Sequence, residues 1–176
     1  MKKPITWFKG HIDPWWDNKF KNLPYQYHKI KNTWDAERWD QEGYHGITYG
    51  GSHYNSADMG ENIPDYAKPF LTMFDWQHVG LVFYKMTTCQ SLPNHQDAYI
   101  TYAKKFNLDT ENIWRCIVFL EDWKSGHYFE IDNQPLMPWQ AGDWVAWNAD
   151  VPHHAGNYGV ENRYTVQITG CKIAQT

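Results

Sequence analysis

A mainly β jelly roll, preceded by helical and irregular sequence, is the architecture this chain predicts. Three observations carry that expectation. Aromatic residues make up 18% of the 176 residues, with 11 Trp and 12 Tyr, and such side chains favour strands and bury large areas. From about residue 78 the sequence breaks into short apolar runs separated by Gly, Pro and Asp turns, the texture of a sandwich or barrel. The last run, Arg163 to Thr169, alternates strictly. Arg163, Thr165, Gln167 and Thr169 fall on one face, and Tyr164, Val166 and Ile168 on the other.

The elements follow in chain order. Residues 1–77 lack clean periodicity and are rich in Trp, Asn, Asp and Gly, with a turn-like Tyr49-Gly50-Gly51-Ser52. One helix is expected there, Ile63 to Trp76. Pro64 suits its first turn, and Tyr66, Phe70, Met73 and Phe74 recur at helical spacing, although Pro69 strains it. Strands are expected at Val79 to Met86, running into a Ser91-Leu92-Pro93 turn, then at Ile113 to Leu120, His127 to Ile131, Trp144 to Trp147 and Arg163 to Thr169. The length suits one domain, 1–176. About 1–77 is expected to wrap a jelly-roll core of about 78–172.

Charge and cysteine content narrow the function classes. The formal net charge of −4 gives no global attraction to nucleic acid. Residues 1–31 nevertheless carry a balance of +5 and the rest −9. Such a basic arm can touch phosphate or an acidic partner, though a solvated lysine-rich segment is the more common explanation. Cys89, Cys116 and Cys171 have no paired spacing, so neither a disulfide framework nor a zinc ribbon is expected. The start MKKPITWFKG has no apolar signal core, and no apolar run approaches membrane-spanning length. A cytoplasmic protein without membrane association is the expectation.

The chemistry concentrates in two places. Of nine histidines, His11, His28, His45 and His53 lie in irregular sequence and are read as surface or hydrogen-bonding residues. His95 differs, because Asp97 lies two positions on. In an extended segment i and i+2 point the same way, so an imidazole and a carboxylate can converge on one ion. Asp150-Val151-Pro152-His153-His154 offers a further histidine 56 residues beyond Asp97, and Arg163-Tyr164-Thr165 follows ten residues after His153. Two histidines and one carboxylate on one face of iron(II) leave positions open for cosubstrate and oxygen. An arginine provides a bidentate fork for a carboxylate, and a hydroxyl two residues along the same strand face can add a hydrogen bond.

The ordered set His95-x-Asp97, His153, Arg163-x-Thr165 resembles the 2-oxoglutarate/iron(II) oxygenase superfamily, including its prolyl-hydroxylase-like members, over about residues 78–171. The resemblance implies a double-stranded β-helix of eight strands, a fold shared with cupins. It implies Fe(II) held by His95, Asp97 and His153, and 2-oxoglutarate held at its distal carboxylate by Arg163 and Thr165. His153, Asn157 and Arg163 look most like aspartyl/asparaginyl hydroxylases, which typically lack the carboxylate ligand kept here as Asp97. His153 is preferred over His154 because the Pro152 turn and the step to Asn157 match the family pattern. His154 then packs or reaches solvent, and Asn157 braces the site. Tyr84 is either a residue touching the cosubstrate or an ordinary barrel aromatic. Arg115, inside an apolar run, needs a carboxylate partner if it points inward, from the substrate, the cosubstrate or an internal acid, and internal pairing is the safer expectation. Trp123, His127, Trp139, Trp144 and Trp147 are candidates for the cavity mouth without assigned roles.

The activity so implied is oxidation, most commonly hydroxylation, of a small molecule or an amino-acid or peptidyl residue, consuming O2 and releasing succinate and CO2. Two rivals keep the jelly roll. One is a cupin-like metal-dependent enzyme that does not use 2-oxoglutarate. The other is a non-catalytic binding protein. The first has no use for Arg163-x-Thr165, and the second would normally carry a degraded ligand set, whereas here the set is whole.

Overall fold

In the computed structural model, residues 7–30, 37, 41 and 52–172 are described. Their strands are β1 (Trp7–His11), β2 (Gln26–Ile30), β3 (Ser52–Asp58), β4 (Gln77–Met86), β5 (Gln90–His95), β6 (Ile113–Phe119), β7 (His127–Ile131), β8 (Gln134–Pro135), β9 (Asp143–Asn148), β10 (His153–Asn157) and β11 (Arg163–Cys171). They form a seven-stranded sheet in the order β1-β9-β6-β11-β4-β3-β2 and a four-stranded sheet in the order β5-β10-β7-β8. All pairings are antiparallel. Successive strands from β4 to β11 divide between the two sheets, four to each, which makes the double-stranded β-helix. β1 extends one edge of the larger sheet, and β3 and β2 extend the other. The Tyr49–Gly51 part of the expected turn, and His45, lie outside the described residues.

β11 is the central strand, bonded to β4 on one side and β6 on the other, and all nine of its residues are buried. Its alternation separates two interiors. Tyr164, Val166 and Ile168 join Leu81, Phe83, Cys116 and Val118 on the outer face of the larger sheet, which Phe20, Ala67 and Phe70 from the N-terminal third cover. Arg163, Thr165 and Gln167 face the space between the sheets. There Ile117, Phe119, Val145 and Trp147 meet Phe129, Ile131 and Ala155 of the smaller sheet.

Two local expectations need correction. The helix expected over Ile63 to Trp76 is a shorter 3-10 helix, Asp65–Thr72, with Pro64 capping it and Pro69 inside. Proline lacks the N–H for an i−4 bond, and the segment closes tighter turns instead, such as Ala67 N–H to the Pro64 carbonyl at 2.8 Å. Ser91-Leu92-Pro93 is not a turn but the middle of β5. The reversal comes earlier, around Cys89 in the left-handed region (φ 64°), where Gln90 N–H donates to the Thr87 carbonyl at 3.1 Å. Pro93 is tolerated because β5 is an edge strand, where a missing donor leaves no ladder bond unmade. A short helix, α1 (Ile100–Phe106), follows β5 and buries none of its own residues. No apolar periodicity announces it.

Cys116 and Cys171 are buried, Cys89 is exposed, and all three are free thiols. Among the described residues no helix is long and apolar enough to cross a membrane.

Phe83 is fully buried in the outer core, so Phe83→Ala is expected to lower stability by about 3–5 kcal/mol. Ile168→Val, on the neighbouring strand, removes one methyl and should cost about 0.5–1.5 kcal/mol. Urea denaturation of both variants checks the ranking.

Candidate metal centre

The antiparallel register of β10 on β5 sets His153 directly opposite His95, and their ring centroids lie 4.2 Å apart. Asp97 follows just beyond β5. His95 Nε2 lies 3.9 Å from Asp97 Oδ1, and His153 Nε2 lies 3.5 Å from Asp97 Oδ2. One ligand atom from each of the three side chains falls within 4.8 Å of the others. Each histidine is also oriented from behind. His95 Nδ1 bonds the Pro93 carbonyl at 2.7 Å, and His153 Nδ1 bonds the Val151 carbonyl at 3.0 Å. A carbonyl only accepts, so both Nδ1 atoms carry the proton and both Nε2 lone pairs are free to ligate. Burial, helped by the His95 ring, pushes the His153 imidazole down to about 3, which keeps it neutral.

Asp97 is held on two sides. Arg115 Nη1 donates to Oδ1 at 2.5 Å, and Trp147 Nε1 reaches Oδ2 at 3.4 Å. Burial alone would raise this carboxyl. The Arg115 guanidinium, both imidazoles and the indole N–H outweigh it and hold the group at about 2. For Arg115, burial works against the charge and Asp97 more than offsets it, so its pKa rises. The Tyr99 ring lies 5.2 Å from that guanidinium.

Behind the triad, a cavity of about 290 Å³ runs between the sheets, and Tyr84, Arg163, Thr165 and Gln167 line it. Arg163 is only 3% exposed. Among the described residues its single hydrogen-bond contact is a weak one, Nη1 to Met86 Sδ at 3.4 Å, while Nε and Nη2 have no partner there. Phe119, Phe129 and Trp139 surround it at 5.5–5.7 Å. With no acid beside it among the described residues, burial lowers the guanidinium to about 9. Such a group is costly to bury unless an anion completes it.

The other sequence-singled residues divide by position. Thr165, 2% exposed, faces the cavity, with Tyr84 beside it across β4. The Tyr84 hydroxyl titrates higher than usual because it is desolvated. His154 points away from the triad, with its ring 4.9 Å from Tyr128 and its Nε2 3.3 Å from the Tyr158 hydroxyl. Asn157 is fully buried and bridges strands: its Nδ2 donates to the Met86 and Glu161 carbonyls, and its Oδ1 accepts from Gly159 N–H. It braces the turn that delivers Arg163. Trp147 on Asp97 and Tyr99 on Arg115 had no assigned place. The period-two pattern Val145/Trp147 could have flagged the first. Nothing in the sequence around Tyr99, which sits in the left-handed region (φ 51°), signals the second.

Among solved structures, a Pseudomonas putida prolyl-4-hydroxylase superposes with a TM-score of 0.56 at 12% identity, covering 89% of this chain and 97% of that one. The non-heme alpha-ketoglutarate-dependent epimerase SnoN from nogalamycin biosynthesis superposes with a TM-score of 0.53 at 12% identity, covering 87% and 80%. No family model matches the sequence, and no curated protein matches it either. The likenesses agree with the double-stranded β-helix seen here.

Asp97→Asn removes the only acid paired with Arg115 among the described residues and is expected to destabilise the metal-free protein by about 3–5 kcal/mol. The double variant Asp97→Asn/Arg115→Met should recover much of that. The pH dependence has a defined sign. The folded Asp97 carboxyl lies below its ordinary value of 3.8, so its stabilisation is complete above about pH 4 and is lost as pH falls toward about 2. Thermal unfolding across that window should show this step in the wild type and lack it in Asp97→Asn.

Proposed function

We propose that this protein is an Fe(II)- and 2-oxoglutarate-dependent oxygenase. The observation that carries the reading is Arg163, a buried guanidinium with unpartnered nitrogens in the same cavity as a His–Asp–His cluster. The donor set fits the metal: two neutral imidazoles and one carboxylate are the ligands that non-heme iron(II) oxygenases use, with positions left open. The cavity fits the cosubstrate, because a dicarboxylate reaching from the triad supplies the counter-ion that Arg163 lacks.

His95, Asp97 and His153 would hold the iron. Bound there, iron(II) supplies the coupling of 2-oxoglutarate decarboxylation to dioxygen reduction and substrate oxidation, with succinate and CO2 as co-products. The protein's own part is placement. The Pro93 and Val151 carbonyls fix both imidazoles, and Arg115 occupies Asp97 Oδ1, which leaves Oδ2 turned toward His153. Arg163 and the Thr165 hydroxyl bind the distal carboxylate. Phe119, Phe129 and Trp139 keep water from that charge pair, which strengthens it. Tyr84 can add a hydrogen bond from the β4 side. A metal enzyme of the same fold, or a non-catalytic binding protein, accounts for Arg163 only if it too takes an anionic ligand. The likeness in fold to a prolyl-4-hydroxylase and to an alpha-ketoglutarate-dependent epimerase supports the same reading. The substrate is expected to be a small molecule or an amino-acid or peptidyl residue.

Anaerobic addition of iron(II) and then 2-oxoglutarate should produce the visible charge-transfer band of the chelate, and His153→Ala should lose both metal and band. His154→Ala should retain most of the iron. If metal analysis gives the reverse, the third ligand is misassigned.

Arg163→Ala should keep iron but lose roughly 30-fold to several thousand-fold in 2-oxoglutarate affinity, the range for truncating a desolvated charge pair worth about 2–5 kcal/mol. Thr165→Ala removes one neutral hydrogen bond and should cost about 1 kcal/mol. Calorimetry on the anaerobic, iron-loaded proteins gives both values. Unchanged affinity in Arg163→Ala removes the cosubstrate from the proposal.

A further inference from the structure

Two guanidinium groups reach the cavity, and Asp97 is the only acid among its described lining residues. The arginines enter from different ends. Arg115 on β6 stands opposite Thr169, six residues along β11 from Arg163, a strand length of roughly 20 Å. Arg115 ends against the triad, and Arg163 ends in the aromatic pocket behind it.

Asp97 now balances Arg115 through Oδ1. A divalent metal ion held by Asp97, His95 and His153 would draw on the same negative charge. A dicarboxylate cosubstrate would then cancel the metal's charge, and two arginines would still outnumber one aspartate. The surplus falls at Arg115, because Arg163 has the distal carboxylate. The Arg115 side chain is only 21% exposed, its Nε has no acceptor, and the Tyr99 ring lies over its guanidinium. Solvent therefore screens it poorly, and an uncompensated buried cation is unfavourable.

We propose that Arg115 recognises a carboxylate on the primary substrate, so that the site takes a small carboxylic acid in preference to a neutral or cationic molecule. This rests on the oxygenase reading. A monoanion brings the loaded cavity to neutrality. Tyr54 lines the same cavity as Arg115 and offers a phenolic hydroxyl to the same group. The cavity of about 290 Å³ must hold the cosubstrate as well, so the acid-bearing end of the substrate is compact.

The test uses anaerobic protein loaded with iron(II) and saturated with 2-oxoglutarate. Straight-chain carboxylic acids and N-acetylated amino acids are titrated by calorimetry, each beside its uncharged amide. At least one acid should bind the wild type ~30-fold or more tighter than its amide, the low end for a desolvated charge pair. Arg115→Met should abolish that preference in the protein that retains its iron, with metal content measured alongside because the same guanidinium steadies Asp97. Arg115→Lys keeps the charge but loses the fork, so an intermediate preference is expected, and it stands in if Arg115→Met does not fold. Equal binding of acids and amides, or no saturable binding by any acid, overturns the proposal. So does a loss of 2-oxoglutarate affinity as large as in Arg163→Ala when Arg115→Met still holds a full complement of iron, which would assign Arg115 to the cosubstrate. Failure of the wild type to bind 2-oxoglutarate at all, read in the loading step, overturns the oxygenase reading instead.

Discussion

Everything in this molecule is arranged around β11, a central strand that is buried on both faces and carries a different chemistry on each. One face is apolar and anchors the outer core. The other holds Arg163, Thr165 and Gln167 and forms the cavity wall. A strand's period of two allows this only if no residue slips, because a shift of one position would exchange the two faces. The flanking strands β4 and β6 hold that register over most of its length. The polar cavity face is affordable because the outer core and the inter-sheet aromatics surround it with well-packed apolar layers.

Within the cavity the balance is electrostatic. Asp97 and Arg115 satisfy each other, whereas Arg163 is left in an aromatic cage with no acid. A protein selected for stability alone would replace such a group with an apolar one, since buried charges rarely repay their desolvation. Its retention makes physical sense if a ligand completes it. The same logic applies more weakly to Arg115, whose partner Asp97 also belongs to the His–Asp–His cluster that could hold a metal ion. The charged groups of the cavity are carried mostly on strands, with Asp97 just beyond β5, where packing holds them in place.

The N-terminal third has a structural part that is easy to overlook. Its strands add to both edges of the larger sheet, and its 3-10 helix and aromatic segment close the outer face with Phe20, Ala67 and Phe70. β3 also brings Tyr54 to the cavity rim, beside Tyr84 at 5.3 Å between rings. That contact comes from a segment whose sequence has no strand-like alternation, so it depends on the edge of β4 being available to template it.

Legible along the chain alone were the jelly roll, the strict two-faced alternation of β11, and the candidacy of His95, Asp97 and His153. Those features are local: a period of two, a spacing of two, and turn residues at the ends of apolar runs. The tertiary structure decided what has no local signature. It extended β5 through Ser91-Leu92-Pro93, because an edge strand tolerates proline, and it compressed the expected helix around Pro69. It brought His95 opposite His153 by pairing strands 58 residues apart. It made Asp97 the partner of Arg115 and left Arg163 without one. Whether a buried charge is paired depends on which strands become neighbours, and that is set by sheet order rather than by any residue's place in the chain.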